Sequence, residues 1–62
     1  MKGLIKIKLS FDPGINTKQR IETLMTWSKR MIKTEDFTVV ETQHFTNMSF
    51  IVIRKSRSIN NF

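Results

Sequence analysis

The sequence predicts an α+β fold of order β-α-β-β: a three-stranded, mainly antiparallel sheet with one helix packed on one face. Three observations carry this. Residues 4–11 alternate apolar and polar with period two. Residues 17–33 carry apolar side chains at helical spacing. Residues 37–53 form two β-rich runs separated by Thr46-Asn47.

In the first run Ile5, Ile7, Leu9 and Phe11 point one way, and Lys6, Lys8 and Ser10 the other. That is the pattern of a strand buried on one face. Asp12-Pro13-Gly14 stops it, because proline fixes φ and glycine permits positive φ. A phosphate-cradling role for this turn is disfavoured, since a lone glycine is not a glycine-rich loop and Asp12 repels phosphate.

Asn16 suits a helix N-cap, with Gln19 at the third helical position as in a capping box. Ile21, Leu24, Met25, Ser28, Met31 and Ile32 then fall on one stripe, with Trp27 at its edge. Lys18, Glu22, Lys29, Arg30 and Lys33 occupy the opposite side. Three of these cations lie in the last two turns, where they also favour the helix dipole. The helix is expected to end near Lys33 or Thr34. Trp27 has two readings: a cap on the core edge, or an interface residue, since tryptophan is enriched at binding hot spots.

Glu35-Asp36 is the connection to the second strand, residues 37–45. Strict alternation puts Phe37, Val39, Glu41, Gln43 and Phe45 on one face and Thr38, Val40, Thr42 and His44 on the other. Neither face is cleanly apolar, which suggests an edge position. Thr46-Asn47 reads as a two-residue hairpin turn.

In the third strand Met48, Phe50 and Val52 alternate with Ser49, Ile51 and Ile53. A strand apolar on both faces belongs between two layers. In so short a chain the second layer is expected from another molecule. As the most apolar strand, the third is expected in the middle of the sheet, antiparallel to both neighbours, as in half of a ferredoxin-like split arrangement. A mixed sheet with the second strand central is the alternative.

The chain has 62 residues. A domain this short buries only about 60% of its unfolded surface, so its stability is marginal without disulfides, a metal or a partner chain. There is no cysteine, and one His with five acidic residues leaves little for a metal. A homodimer is the expected supplement, joined face to face or edge to edge, with Phe50, Ile51, Val52, Ile53 and Trp27 as its interface residues. The organisation expected is one domain, residues 1–55, and a flexible basic and polar tail, residues 56–62. In that tail Ile59 and Phe62 are the side chains able to dock on a neighbour.

No catalytic constellation emerges. Glu41 and His44 are three apart on a strand and point to opposite faces. A converging carboxylate pair needs a cleft that so small a chain hardly offers. No enzyme, cofactor or metal is expected. No apolar run approaches the ~20 residues of a membrane span. The recurring Lys6 and Lys8 interrupt any signal-peptide core. The lack of cysteine fits a cytoplasmic setting, which is the expectation, the host cytoplasm if the chain is viral.

The net charge of +6 and pI near 10.4 favour polyanions or acidic protein surfaces. The cations fall into three groups: Lys6 and Lys8; Lys18, Lys29, Arg30 and Lys33; and Arg54, Lys55 and Arg57. The first and third merge if the first and third strands are neighbours. Nucleic-acid contact is assigned to Lys6, Lys8, Lys29, Arg30, Lys33, Arg54, Lys55 and Arg57. Phe45 and Phe50 are available for base stacking, as in sheet-surface RNA binders. The competing reading is that the cations simply solvate the surface.

A cysteine-free chain opening Met-Lys-Gly-Leu-Ile-Lys-Ile-Lys-Leu-Ser-Phe-Asp, with one basic helix and a basic end, resembles the small accessory proteins of tailed bacteriophages. The RNA-binding, toxin-inhibitory kind suits the charge best. That resemblance implies a protein that neutralises a host defence or toxin by binding. The β-α-β-β order is also similar to that of dodecins, the small flavin-binding shells, but here the single Trp is on the helix rather than a strand. The functional expectation is a small RNA-binding homodimer. The alternative is an inhibitor that docks on one host protein or ribonucleoprotein through its apolar sheet face or edge.

Overall fold

The structure is a computed structural model that describes residues 3–56. Its elements are β1 (Leu4–Ser10), α1 (Thr17–Ile32), β2 (Phe37–Phe45) and β3 (Met48–Lys55). The sheet order is β1-β3-β2, and β3 is antiparallel to both neighbours. The most apolar strand is therefore central, and β2 is at an edge. The Arg57 contact and residues 57–62 of the expected tail lie outside the described residues, whereas Ser56, its first residue, is described.

The turn after β1 closes with Ile15 N–H donating to the Asp12 carbonyl at 3.0 Å, placing Pro13 and Gly14 at its centre. Among the described residues the glycine with positive φ is Gly3, not Gly14. Proline's fixed φ thus suffices for this turn, and Gly14's left-handed freedom is unused. Asn16 caps α1, its side chain accepting from Gln19 N–H at 2.8 Å. Phe37 N–H and Ser56 N–H donate to the carbonyls of Glu35 and Asp36, which ties the helix-to-strand connection to the end of β3.

The helix stops at Lys33, which sits in the left-handed region at φ 59°. A side chain bearing a Cβ is disfavoured there, and glycine is the usual solution. Lys33→Gly is expected to stabilise the fold by about 1 kcal/mol. In a domain this small that raises the melting temperature by roughly 4–8 °C. Thermal unfolding followed by circular dichroism checks it; an unchanged or lower midpoint contradicts the strain.

The helix lies across β1 and β3. Beneath it are Ile7, Leu24, Ile51 and Ile53, all buried, with Ile5, Leu9, Phe11, Met25, Ile32 and Phe37 packed around them. The register explains why this set turns inward. Ile5, Ile7 and Leu9 of β1 lie opposite Ile53, Ile51 and Ser49 of β3. Cross-strand partners share a face, so the apolar side of β1 decides which side of β3 meets the helix. Ile51 and Ile53, expected at a chain-to-chain interface, are consumed by the core of the chain itself. Phe50 and Val52 stay on the other face, half-buried. Trp27 belongs to the helical layer.

A β-bulge between Val39 and Glu41 corrects the reading of β2. The extra residue, Val40, resets the alternation. Val39 opposes Ile53, while Glu41 opposes Val52, Thr42 opposes Ile51 and His44 opposes Ser49. The helix side of β2 therefore carries Phe37, Val39, Thr42 and His44. Thr38, Glu41, Gln43 and Phe45 share the open side. Glu41 and His44 do point to opposite faces, as their spacing requires.

Candidate nucleic-acid interface

The face of the sheet turned away from α1 has no covering layer among the described residues. Its layout follows from the register. Leu4, Arg54 and Thr38 form one row; Lys6, Val52 and Glu41 the next; then Lys8, Phe50 and Gln43; and finally Ser10, Met48 and Phe45. An apolar ribbon of Met48, Phe50 and Val52 thus runs down the middle. Lys6 and Lys8 flank it on β1, and Arg54 extends it at one end.

Two aromatic rings lie on this surface. Phe45, 50% exposed, sits with its ring centroid 6.4 Å from that of Phe50, tilted by 33°. The Lys6 ammonium lies 4.1 Å from the Phe50 centroid, a cation–π contact. On the far flank Gln43 Nε2 donates to a Glu41 carboxylate oxygen at 2.6 Å. That contact occupies one oxygen of the face's carboxylate. The balance across the face remains cationic: Lys6, Lys8 and Arg54 against Glu41.

The other expected cations go elsewhere. Lys29, Arg30 and Lys33 ride on α1 in the opposite layer. There the Arg30 guanidinium lies 5.3 Å from the centre of the Trp27 ring. Trp27 and Met31, one turn apart, are 40% and 60% exposed: Met31, expected on the buried stripe, faces out, and of the two readings of Trp27 this exposure disfavours the core cap. Lys55 opposes Phe37 and shares the helix-side parity at the exposed end of β3. The first and third basic groups do meet, through Lys6, Lys8 and Arg54. The helix group does not join them.

A further residue holds this surface in shape. Arg20 is only 4% exposed, with its side chain at the end of the sheet where the hairpin and the β1–α1 loop converge. Its Nε donates to the Ile15 carbonyl at 2.8 Å. Its Nη2 donates to the carbonyls of Thr46 at 2.8 Å and Asp12 at 3.2 Å. Its Nη1 donates to the Phe45 carbonyl at 2.5 Å and Ser49 Oγ at 3.1 Å, with the Met48 carbonyl at 3.5 Å. The Phe11 ring lies 5.2 Å from the guanidinium carbon. A guanidinium has five N–H donors in a planar fork, and here backbone carbonyls rather than a carboxylate receive most of them. One buried cation thereby joins the loop after β1 to the hairpin that carries Phe45.

The network continues to β2. Ser49 Oγ accepts from Arg20, which leaves its own proton for His44 Nδ1 at 2.8 Å. That assignment puts the imidazole proton on Nε2, which is buried without a protein partner. His44 is thus part of the hairpin's polar core. Arg20 falls in none of the three cation groups read from the sequence and has no role there. The available signal was position: residues 20, 24 and 28 lie on one stripe, and these are the buried residues of α1.

Beside the clamp, Ser10, Phe11, Asp12, Pro13, Ile15 and Asn47 line an open depression. Among the described residues no group of three or more His, Asp or Glu is placed to hold a metal ion. No described helix is long and apolar enough to cross a membrane. No family model, characterised protein or solved structure matches the chain.

Proposed function

We propose that this chain binds single-stranded nucleic acid, RNA foremost, on the open sheet face, and acts by occupying the strand rather than by chemistry. The observation that carries this reading is the Phe45–Phe50 pair on an uncovered sheet face bordered by Lys6 and Lys8. Bases stack on exposed aromatics whatever their sequence, and cations alongside take the phosphates. RNA is favoured because its loops and bulges are where unstacked bases are presented to sheet surfaces. The likeness in size and charge to RNA-binding phage accessory proteins points the same way.

Lys6 covers part of Phe50, so a base must displace it. The exchange is favourable. An exposed cation–π contact contributes about 0.5–1 kcal/mol, whereas base stacking on an aromatic contributes about 1–3 kcal/mol. The displaced ammonium then becomes available to a phosphate.

Anisotropy titrations with labelled single-stranded RNA, single-stranded DNA and duplex of equal length test the reading. Single strands are expected to bind more tightly than duplex. With Lys6, Lys8 and Arg54 engaged, log K against log salt should fall with a slope of about −2, since each neutralised single-strand phosphate contributes about −0.7. Absence of binding at low salt, or equal binding of duplex, defeats the proposal. The apolar ribbon also supports a second reading, docking on a protein. A partner retained from a host lysate after nuclease treatment, through Phe45 and Phe50, is the result that selects it.

A further inference from the structure

The two edges of the sheet differ. β2 carries the bulge at Val40, a device that twists an edge and ends pairing. β1 pairs with β3 without interruption over all seven of its residues, and it is the other outer strand. It contains neither proline nor bulge. Its helix-side residues Ile5 and Leu9 are only half-buried. Its open-side residues include Lys6 and Lys8, both exposed. The edge is thus suited to pairing in its backbone and apolar side, and guarded by two charges.

Two-fold pairing of β1 with β1 of a second copy keeps open face with open face. The fully matched register then sets Lys6 against the partner's Lys8. Sliding two residues either way sets Lys6 against the partner's Lys6, or Lys8 against the partner's Lys8. Like charges directly opposite each other oppose pairing. We propose that β1 is a conditional interface between two copies of this chain, held apart by Lys6 and Lys8 and closed when a polyanion neutralises them. Pairing yields a six-stranded sheet with both helices on one side and both open faces continuous on the other. The four lysines lie at its centre, with a Phe50 on each flank. A single strand crossing the centre neutralises the seam and reaches aromatics of both copies, so binding and assembly reinforce one another.

The polyanion arm rests on the proposed nucleic-acid binding; the charge gate does not. Sedimentation velocity on the full chain separates them. The wild type alone at low salt is expected at the mass of one chain, 7.4 kDa. The doubly neutralised variant, Lys6→Gln with Lys8→Gln, is expected at twice that mass with no nucleic acid present. Wild type should move toward the dimer as salt screens the lysines. With an oligouridylate, two chains per strand are expected. Amide hydrogen exchange should show new protection in β1 in every dimeric sample. A folded double-Gln variant that stays monomeric overturns the proposal, as does a dimer without β1 protection. If the double-Gln variant fails to fold, the wild-type salt series decides in its place. A wild type that ignores oligouridylate while the neutralised variant pairs through β1 sinks the nucleic-acid reading and leaves the charge gate standing.

Discussion

Arg20→Met is expected to remove about 3 kcal/mol or more of stability, a large share of the roughly 3–5 kcal/mol that a core of this size supplies. Two effects oppose each other. Methionine relieves the desolvation of a cation that is only 4% exposed. It also leaves the carbonyls of Asp12, Ile15, Phe45 and Thr46 without their donor. A hydrogen bond to a charged donor contributes about 1.5–3 kcal/mol, and a buried acceptor left unpaired costs about 1–3 kcal/mol. Several such losses outweigh one relief, even when loop carbonyls regain some water. Arg20→Lys keeps the charge but lacks the fork and is expected to fall between the two. Urea unfolding followed by circular dichroism measures both. If methionine leaves the midpoint at the wild-type value, the clamp contributes nothing and the loops are held by other contacts.

The expected loss at Arg20 also marks the limit of what the residues announced. The alternation Ile5, Ile7, Leu9, the Asn16–Gln19 cap and the Thr46-Asn47 turn each act through neighbours in sequence, and each was legible. The central place of β3 was legible too, because it is the most apolar strand of the three. Which side meets the helix is a tertiary fact. It is decided by the lysines of β1, seen only once Ile7 lies opposite Ile51. The bulge left no mark. Val39 and Val40 are alike, and no glycine signals the extra residue, yet the slip moves Thr42 and His44 to the side of Phe37. Lys6, Lys8, Arg54, Phe45 and Phe50 of the candidate surface are visible in the sequence, but nothing in their spacing separates them from the cations of α1. Layer membership does so, and it places Lys29, Arg30 and Lys33 with Trp27 instead.

That division into layers gives the sharpest expectation for binding. Phe45→Ala is expected to weaken single-stranded RNA by roughly 5- to 150-fold, the equivalent of about 1–3 kcal/mol for one stacked base. Phe45 is half exposed, so its truncation acts on the surface more than on the fold. Phe50→Ala should show a loss of the same order, with some added destabilisation because its ring is half-buried. Neither change removes a charge, so the salt slope should stay at its wild-type value. Lys8→Gln should instead make the slope shallower by about 0.7 while leaving the stacking contribution intact. Trp27→Ala, on the opposite layer, should leave affinity unchanged, and the fluorescence of this single tryptophan should not respond to bound RNA. The pattern matters more than any one value. Weakened binding at Trp27 with Phe45 silent would move the site to the helix, where Arg30 already stacks on an aromatic ring. Loss at Phe45 and Phe50 with an unaltered slope, beside a reduced slope at Lys8, assigns stacking and phosphate contact to separate residues of one sheet face.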